Sequence, residues 1–186
     1  MIEQAHTQVR EKEANVYASH EDFQAIFNED LKELYQLSFL LTRDAAKAER
    51  CLVVGLEDCV RGNRVFREWA RSWAKRAIVQ NAIRELKPRP SRSSSLLSGA
   101  FFLDIDQLSS RSGRHFDVDA VLRLADFERF VFVMSALEHY SEHDCALLLG
   151  CSARDIRERR TRALKELADS PHMEPSENQL VVQEKK

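Results

Sequence analysis

In the first part of the chain, the hydrophobic residues recur every three or four positions, which is the period of an α-helix. This apolar stripe starts at about Glu21 and is interrupted at Thr42, Arg43 and Asp44. Its members are Phe23, Phe27, Leu31, Leu34, Leu37 and Leu41. The pattern predicts one amphipathic helix that buries a single face.

Two further helices are predicted in this part of the chain. Asp44 is a suitable N-cap for a helix over residues 45–59, and Gly62 is a stop signal after it. The next helical pattern covers about residues 65–86, and Pro88 ends it. Three helices of this kind can bury a shared core as a small bundle.

A second helical block is predicted after a polar connection. Residues 87–95 are basic and rich in Ser and Pro, a composition that favours an extended, solvated chain. Helical periodicity returns near Asp119 and continues through a stripe over 127–137. A short helix opens at Ser141, and a last helix covers about residues 153–167.

These patterns predict an all-α protein with two small helical domains, a three-helix bundle and a C-terminal helix-turn-helix, joined by a linker. The chain has only five Gly and four Pro residues, which argues against a β fold with many tight turns. The predicted segments are a flexible N-terminal arm (1–20), a first helical domain (21–87), a linker (88–118), a helix-turn-helix domain (119–168) and a tail (169–186).

The last two helices have the spacing of a helix-turn-helix. Ala146 is small enough for a second helix to cross closely, Gly150 tolerates the positive φ of the turn, and Ile156 is an aliphatic anchor. The second helix would then present polar side chains to the major groove of DNA. These side chains are Arg154, Arg157, Glu158, Thr161 and Arg162. An ordinary helical hairpin with a basic surface is the alternative.

Charge is distributed unevenly along the chain, although the net charge is only −2. Residues 61–92 carry ten basic and two acidic side chains, and residues 153–167 carry six and three. Basic islands attract polyanions, so nucleic acid is a candidate partner. Two solvated helix faces would give the same composition.

Three segments of the chain follow one another in the order of the conserved regions of a known protein family. These segments are residues 34–49, 66–84 and 140–167. They resemble the opening of region 2, the promoter-facing helix of region 2, and region 4 of bacterial sigma-70 family RNA polymerase sigma factors of the extracytoplasmic-function type. The resemblance implies a subunit that binds core RNA polymerase and promoter DNA. It also suggests an anti-sigma protein as an inhibitory partner.

The resemblance implies two sets of DNA-contacting residues. The upstream promoter element would be read among Arg154, Asp155, Arg157, Glu158 and Arg162, and the downstream element would meet Lys75, Arg76, Gln80, Asn81 and Arg84. Arg and Lys can hold phosphates, whereas Asn and Gln can read an adenine edge or a flipped base. Trp69 and Trp73 could stack on an unpaired base, but tryptophans four residues apart are expected in the core.

Some positions depart from the family pattern. In the family, the helix that contacts the polymerase clamp carries an Asp, a Gln and a Glu where this chain has Arg50, Val53 and Val54. The loop at 61–65 is shorter than the family's base-capturing loop, and Arg160 stands where the family prefers an apolar residue. Three functions therefore stay open: a sigma factor, a sigma-like DNA-binding regulator that does not support promoter opening, and a helical interaction module without a DNA role.

Other classes of protein are not expected. The sequence has no P-loop, no glycine-rich dinucleotide turn and no apolar-flanked acidic pair, so neither an enzyme nor a cofactor is predicted. His139 and His143 lack a third ligand for a metal, and the four cysteines are expected to be reduced thiols that lie mostly in the core. No apolar run approaches the ~20 residues of a membrane span, and no signal peptide pattern is present, so the expected place is the bacterial cytoplasm.

Overall fold

A computed structural model of the chain describes residues 16–62, 64–90 and 118–169, and these ranges are helical without a β-strand, as predicted. The predicted tail and most of the predicted arm and linker lie outside these ranges. The helices are α1 (His20–Glu29), α2 (Leu31–Thr42), α3 (Ala45–Arg61), α4 (Ala70–Leu86), α5 (Val118–Arg123), α6 (Asp126–Phe132), α7 (Glu142–Leu149) and α8 (Ala153–Ala168). We call α1–α4 the N-terminal block and α5–α8 the C-terminal block.

The single first helix that the sequence predicts is in fact two helices. The N–H of Asp30 closes α1 on the carbonyl of Ile26, and the carbonyl of Asp30 accepts the first bond of α2 from Leu34. The apolar period runs through this break, so the pattern alone cannot reveal it. Leu31, expected in the buried stripe, lies just after the break and is 52% exposed.

The predicted helix ends are mostly confirmed. The Asp44 side chain caps α3 by accepting from the N–H of Lys47 at 2.9 Å, and Gly62 follows the last residue of that helix. Helix α4 ends at Leu86, as predicted, and Lys87 follows it in the left-handed conformation. Its start differs, because a 3₁₀ turn (Arg67–Trp69) occupies the place of the expected first turn.

Small residues line the contact between α3 and α4. A Cβ atom at Gly55 would lie 2.8 Å from Cδ1 of Ile78, so the Ile78 side chain would have to shift if this position carried a larger residue. On the α4 side, Ala70, Ala74 and Ala77 are buried. The face of α4 that enters the core is therefore its alanine face.

The two blocks pack against each other. Arg129 of α6 is fully buried, and its Nη2 donates to the carbonyl of Leu41 in α2 at 3.0 Å. In return, Arg43 Nη1 donates to the carbonyl of Leu122 in α5 at 3.0 Å. Buried apolar residues of both blocks form one continuous cluster. The division into two separate domains therefore stays a prediction.

The four cysteines are free thiols, as expected. Cys51, Cys59 and Cys145 are buried, and Cys151 is half-buried. Burial raises the pKa of the Cys59 thiol to about 12 and that of Cys145 to about 11. Both are therefore protonated and unreactive at neutral pH.

Candidate nucleic-acid interface

The turn between α7 and α8 forms around the small residues that the sequence places there. Gly150 ends α7 with a left-handed φ of 66°, and its N–H donates to the carbonyl of Ala146. The N–H of Cys151 donates to the same carbonyl at 3.1 Å. Ala146 and Ile156 are both buried between the helices. These contacts hold α8 across α7 in the order that a helix-turn-helix requires.

Asp155, a predicted DNA contact, completes the N-terminal cap of α8. Its Oδ2 accepts from the N–H of Ser152 at 3.0 Å and from the Ser152 hydroxyl at 2.6 Å. In the other direction, the Ser152 hydroxyl accepts from the N–H of Asp155 at 3.1 Å. Hydrogen bonds from Ser152 hold the pKa of Asp155 below its usual value. Reading a base with Oδ2 of this carboxylate would require the cap to open.

Three arginines of α8 point to solvent. The side chains of Arg154, Arg157 and Arg162 are 84%, 65% and 51% exposed. Each pairs with an acidic residue: Arg154 with Glu158 at 2.8 Å, Arg157 with Glu142 at 3.2 Å, and Arg162 with Glu166 at 3.2 Å. Exposed pairs of this kind contribute only about 0–1 kcal/mol, so a polyanion can replace the acidic partners at small cost.

Two other arginines of the same helix turn inward. Arg159 Nη1 lies 2.5 Å from Oε1 of Glu128, and these side chains are only 15% and 4% exposed. The Nε of Arg160 is buried and has no hydrogen-bond partner among the described residues. The second basic island is therefore split between an outward set and an inward set. Only the outward set can meet DNA without unpacking the block.

On α4, Lys75 and Arg76 face the C-terminal block. The Lys75 Nζ lies 3.0 Å from Oε2 of Glu138. Arg76 is half-buried and lies close enough to Tyr140 to act on its phenol. Burial raises the pKa of Tyr140 to about 12, and the charge of Arg76 opposes that rise. Gln80 is half-buried as well. These predicted DNA contacts therefore do not lie on an open surface.

The prediction that Asn81 reads a base is not compatible with its position. Asn81 is 6% exposed, and its Nδ2 donates to Asp58 at 3.0 Å and to the carbonyl of Ala77 at 2.9 Å. Arg84 donates both to Asn81 at 3.0 Å and to Asp58 at 2.7 Å. Burial opposes ionisation of Asp58, but the bonds from Arg84 and Asn81 outweigh it and lower the pKa of that carboxyl. This network ties α4 to α3.

The prediction that Trp69 and Trp73 are core residues is wrong. Trp69 is 57% exposed and Trp73 is 36% exposed. Ala70, Ala74 and Ala77 are among the residues of α4 that enter the core instead. Trp73 lies one turn before Ala77, at the border of the alanine face, and Trp69 lies in the 3₁₀ turn that precedes α4.

Sequence reasoning missed an aromatic patch around Trp69. The Phe66 and Trp69 rings meet edge to face, with centroids 5.1 Å apart, and the Phe66 ring stacks on Tyr17 at 5.0 Å. The guanidinium of Arg64 lies 5.6 Å above the Tyr17 ring centroid. We call Tyr17, Phe66, Trp69 and Trp73 the aromatic patch. The signal available in the sequence was a set of four small residues that can enter the core in place of the rings. These residues are Ala70, Ala74, Ala77 and Ala82.

The residues that depart from the family's clamp-binding helix lie on the surface of α3. Val53 is 60% exposed, and Val54 is half-buried. The Arg50 side chain is 63% exposed and lies 3.3 Å from Glu85 of α4. These three residues make this part of α3 apolar and basic.

Other kinds of site are not found in the described part of the chain. No group of three or more His, Cys, Asp or Glu side chains there could hold a metal ion. None of its helices combines the length and the apolar character that a membrane crossing requires. No model of a protein family matches the sequence, and no curated protein matches it either.

Proposed function

We propose that this protein is a sigma factor of the extracytoplasmic-function type, which directs core RNA polymerase to promoters and reads the upstream element with α8. The observation that carries the proposal is the exposure of Arg154, Arg157 and Arg162 on the helix that follows the Gly150 turn. Arginine can bind guanine through two hydrogen bonds, and further arginines can hold phosphates.

The order of charges along α8 supports this use. Arg154 and Arg157 lie in the first turns, where a recognition helix reaches base edges. Arg162 lies more than one turn further on, where contact with a phosphate is expected. Glu158 lies between them and is exposed. A carboxylate at this place can accept from the amino group of cytosine, which adds to the pattern that α8 can distinguish.

The aromatic patch supports a role for the N-terminal block in holding unpaired DNA. Stacking of one base on an aromatic side chain contributes about 1–3 kcal/mol, and it tolerates any base. Trp69 and Trp73 offer exposed ring surface, and Arg64 provides a positive charge at the edge of the patch.

The second candidate is a DNA-binding regulator that does not open promoters. The features that favour it are the burial of Asn81 and the exposed Val53 on α3. They remove one base-reading group and change the surface that would meet the polymerase. This candidate keeps the role of α8 and dispenses with the polymerase.

DNA recognition by α8 is tested with two matched arginine variants. Duplexes selected from a random pool by the full-length protein are titrated with Arg157→Ala and with Arg50→Ala, using fluorescence anisotropy. Both arginines are exposed to a similar degree, 65% and 63%, and each forms one surface ion pair. We expect Arg157→Ala to lose about 1–3 kcal/mol on the selected duplex, and less on a scrambled one. Equal losses for the two variants would reject the proposal for α8.

The polymerase separates the two candidates. The purified protein is mixed with bacterial core RNA polymerase, and the mixture is passed through a gel-filtration column. A sigma factor is expected to elute with the polymerase and to start transcripts from a selected promoter. A protein that binds the selected duplex but elutes alone is the regulator. Weak, strongly salt-dependent and sequence-blind DNA binding would instead identify a helical interaction module.

A further inference from the structure

The three outward arginines of α8 are paired through the same atom. In each case the nitrogen that lies against the carboxylate is Nε, at 2.8 Å in Arg154 and at 3.2 Å in Arg157 and Arg162. A guanidinium carries one N–H on Nε and four on its two terminal nitrogens. A pair made at Nε therefore leaves the terminal edge, Nη1 and Nη2, for another ligand.

The pair of Arg157 differs from the other two in where its acidic partner lies. Glu142 is the first residue of α7, whereas Glu158 and Glu166 belong to α8 itself. The Glu142 side chain is 39% exposed, less than the 55% of Glu158 and the 45% of Glu166. The preceding residue, Ser141, is the N-cap of α7, and its hydroxyl accepts a hydrogen bond from the first turn. The partner of Arg157 therefore stands on the capped end of a neighbouring helix.

We infer that Glu142 is a positioning residue for base recognition: it holds Arg157 by Nε, so that Nη1 and Nη2 are presented to the O6 and N7 atoms of one guanine. The inference rests on the proposed function, because it assigns a base contact to Arg157. Two hydrogen bonds to O6 and N7 are the usual way in which arginine reads guanine in the major groove. A carboxylate behind the guanidinium fixes its plane without using the donors that these bonds need.

The carboxylate of Glu142 acts on specificity and on overall affinity in opposite directions. A long side chain that is already held loses less conformational freedom on binding, which is an advantage of about two- to tenfold in affinity for the guanine. The same negative charge repels phosphates, so it weakens binding to any duplex. A neutral base edge is not repelled in this way, and Glu142 therefore favours a base over a phosphate as the ligand of Arg157.

The test compares Glu142→Ala with Glu166→Ala in the intact chain. Both variants remove one carboxylate that lies 3.2 Å from the Nε of an exposed arginine, but Glu166 pairs with Arg162, which is expected at a phosphate. Each base pair of the selected duplex is changed in turn, and dissociation constants are measured by fluorescence anisotropy. Arg157→Ala first identifies the base pair that this arginine reads. Circular dichroism checks the helix content of each variant, and Glu142→Gln replaces Glu142→Ala if the latter does not fold.

We expect Glu142→Ala to lose about two- to tenfold of the discrimination at the base pair that Arg157→Ala identifies, while it binds a scrambled duplex no more weakly than the wild type does. Discrimination at the other base pairs should stay at the wild-type level, which a general disturbance of α8 would not allow. Glu166→Ala should keep the discrimination at every base pair.

Three results would overturn the inference and leave the proposed function standing: a loss by Glu142→Ala at all base pairs alike, a loss at none, or an equal loss by Glu166→Ala at the identified base pair. If Arg157→Ala itself loses discrimination at no base pair, the proposed reading of DNA by α8 fails, and the positioning role of Glu142 fails with it.

Discussion

Replacing Arg129 with Met should uncouple the two blocks. Arg129 is the only residue of the described ranges that is both cationic and fully buried, and its guanidinium joins α6 to the end of α2. Nη2 and Nε donate to the carbonyl of Leu41 at 3.0 and 3.3 Å, and Nη1 donates to the carbonyl of Leu124 at 3.0 Å. Nη2 also lies 2.8 Å from Asp126. Methionine keeps much of the volume but none of the donors.

The expected loss follows from the acceptors that are left behind. Each buried carbonyl without a donor costs about 1–3 kcal/mol, and two are orphaned, those of Leu41 and Leu124. Asp126 is 47% exposed and keeps Arg43 as a neighbour, so it adds little. Burial lowers the pKa of Arg129, which shows that the buried charge itself carries a cost, and methionine removes that cost. We expect a net loss of about 2–3 kcal/mol.

Urea unfolding read by two signals measures both the loss and the coupling. The two tryptophans lie in the N-terminal block, so their fluorescence follows that block alone, whereas far-UV circular dichroism follows all helices. The two signals should coincide in the wild-type protein and separate in Arg129→Met. Arg50→Met is the control, because its exposed ion pair contributes at most about 1 kcal/mol.

The reasoning fails if Arg129→Met and Arg50→Met lose the same small amount of stability. That outcome would mean that the carbonyls of Leu41 and Leu124 find other donors or water once the guanidinium is gone, and that the blocks are not held there. If Arg129→Met does not fold, Arg129→Lys gives the same comparison with a smaller change. Lysine retains the charge near Asp126 but cannot serve both carbonyls in the same geometry.

Two further variants test local features. In Asp58→Asn, the carboxylate that binds Asn81 and Arg84 is lost. Those bonds place the pKa of Asp58 in the folded protein below the ordinary 3.8. The wild type should therefore be more stable than the variant above about pH 4, and this advantage should shrink as the pH falls further, as urea unfolding between pH 3 and 6 can show. An advantage that grows towards pH 3 would contradict this sign. In Gly150→Ala, the left-handed φ of 66° should cost about 1–2 kcal/mol through the backbone alone, since no atom lies within 4 Å of the added Cβ. A thermal unfolding midpoint equal to that of the wild type would show that the turn relaxes without strain.

Local signals in the sequence account for most of the helix ends. Asp44, Gly62 and Gly150 act through their own backbone or side chain, so their effect does not depend on distant residues. The break at Asp30 has no such signal, because neither Gly nor Pro marks it and the apolar period continues across it. No signal in the sequence predicts the contact between the two blocks either. An arginine in a helical stripe is expected to be exposed, because the sequence does not show which carbonyl of a distant helix accepts its hydrogen bonds.

In the candidate site, too, local sequence signals predict one feature and not another. The exposure of Arg154 and Arg157 follows from the positions of Ile156 and Ala163 on the opposite face of α8, which the sequence contains. The orientation of α4 does not follow in this way. Its apolar residues cover a wide arc, and which part of that arc enters the core depends on the helices that pack against it. The burial of Asn81 and the exposure of Trp73 both follow from that orientation.

The two basic islands, residues 61–92 and 153–167, differ in where the acidic partners of their arginines lie, which a count of charges does not show. Arginines of the first island pair with acidic residues more than 40 positions earlier in the chain: Arg67 with Asp22, and Arg71 with Glu29 and Asp30. Such pairs help to hold α1 against α4, so a polyanion that displaced them would also loosen the fold. On α8, Arg154 and Arg162 pair with residues one turn away on the same helix, and displacement there costs no tertiary contact. DNA can therefore meet Arg154 and Arg162 of the second island at a lower cost than Arg67 and Arg71 of the first.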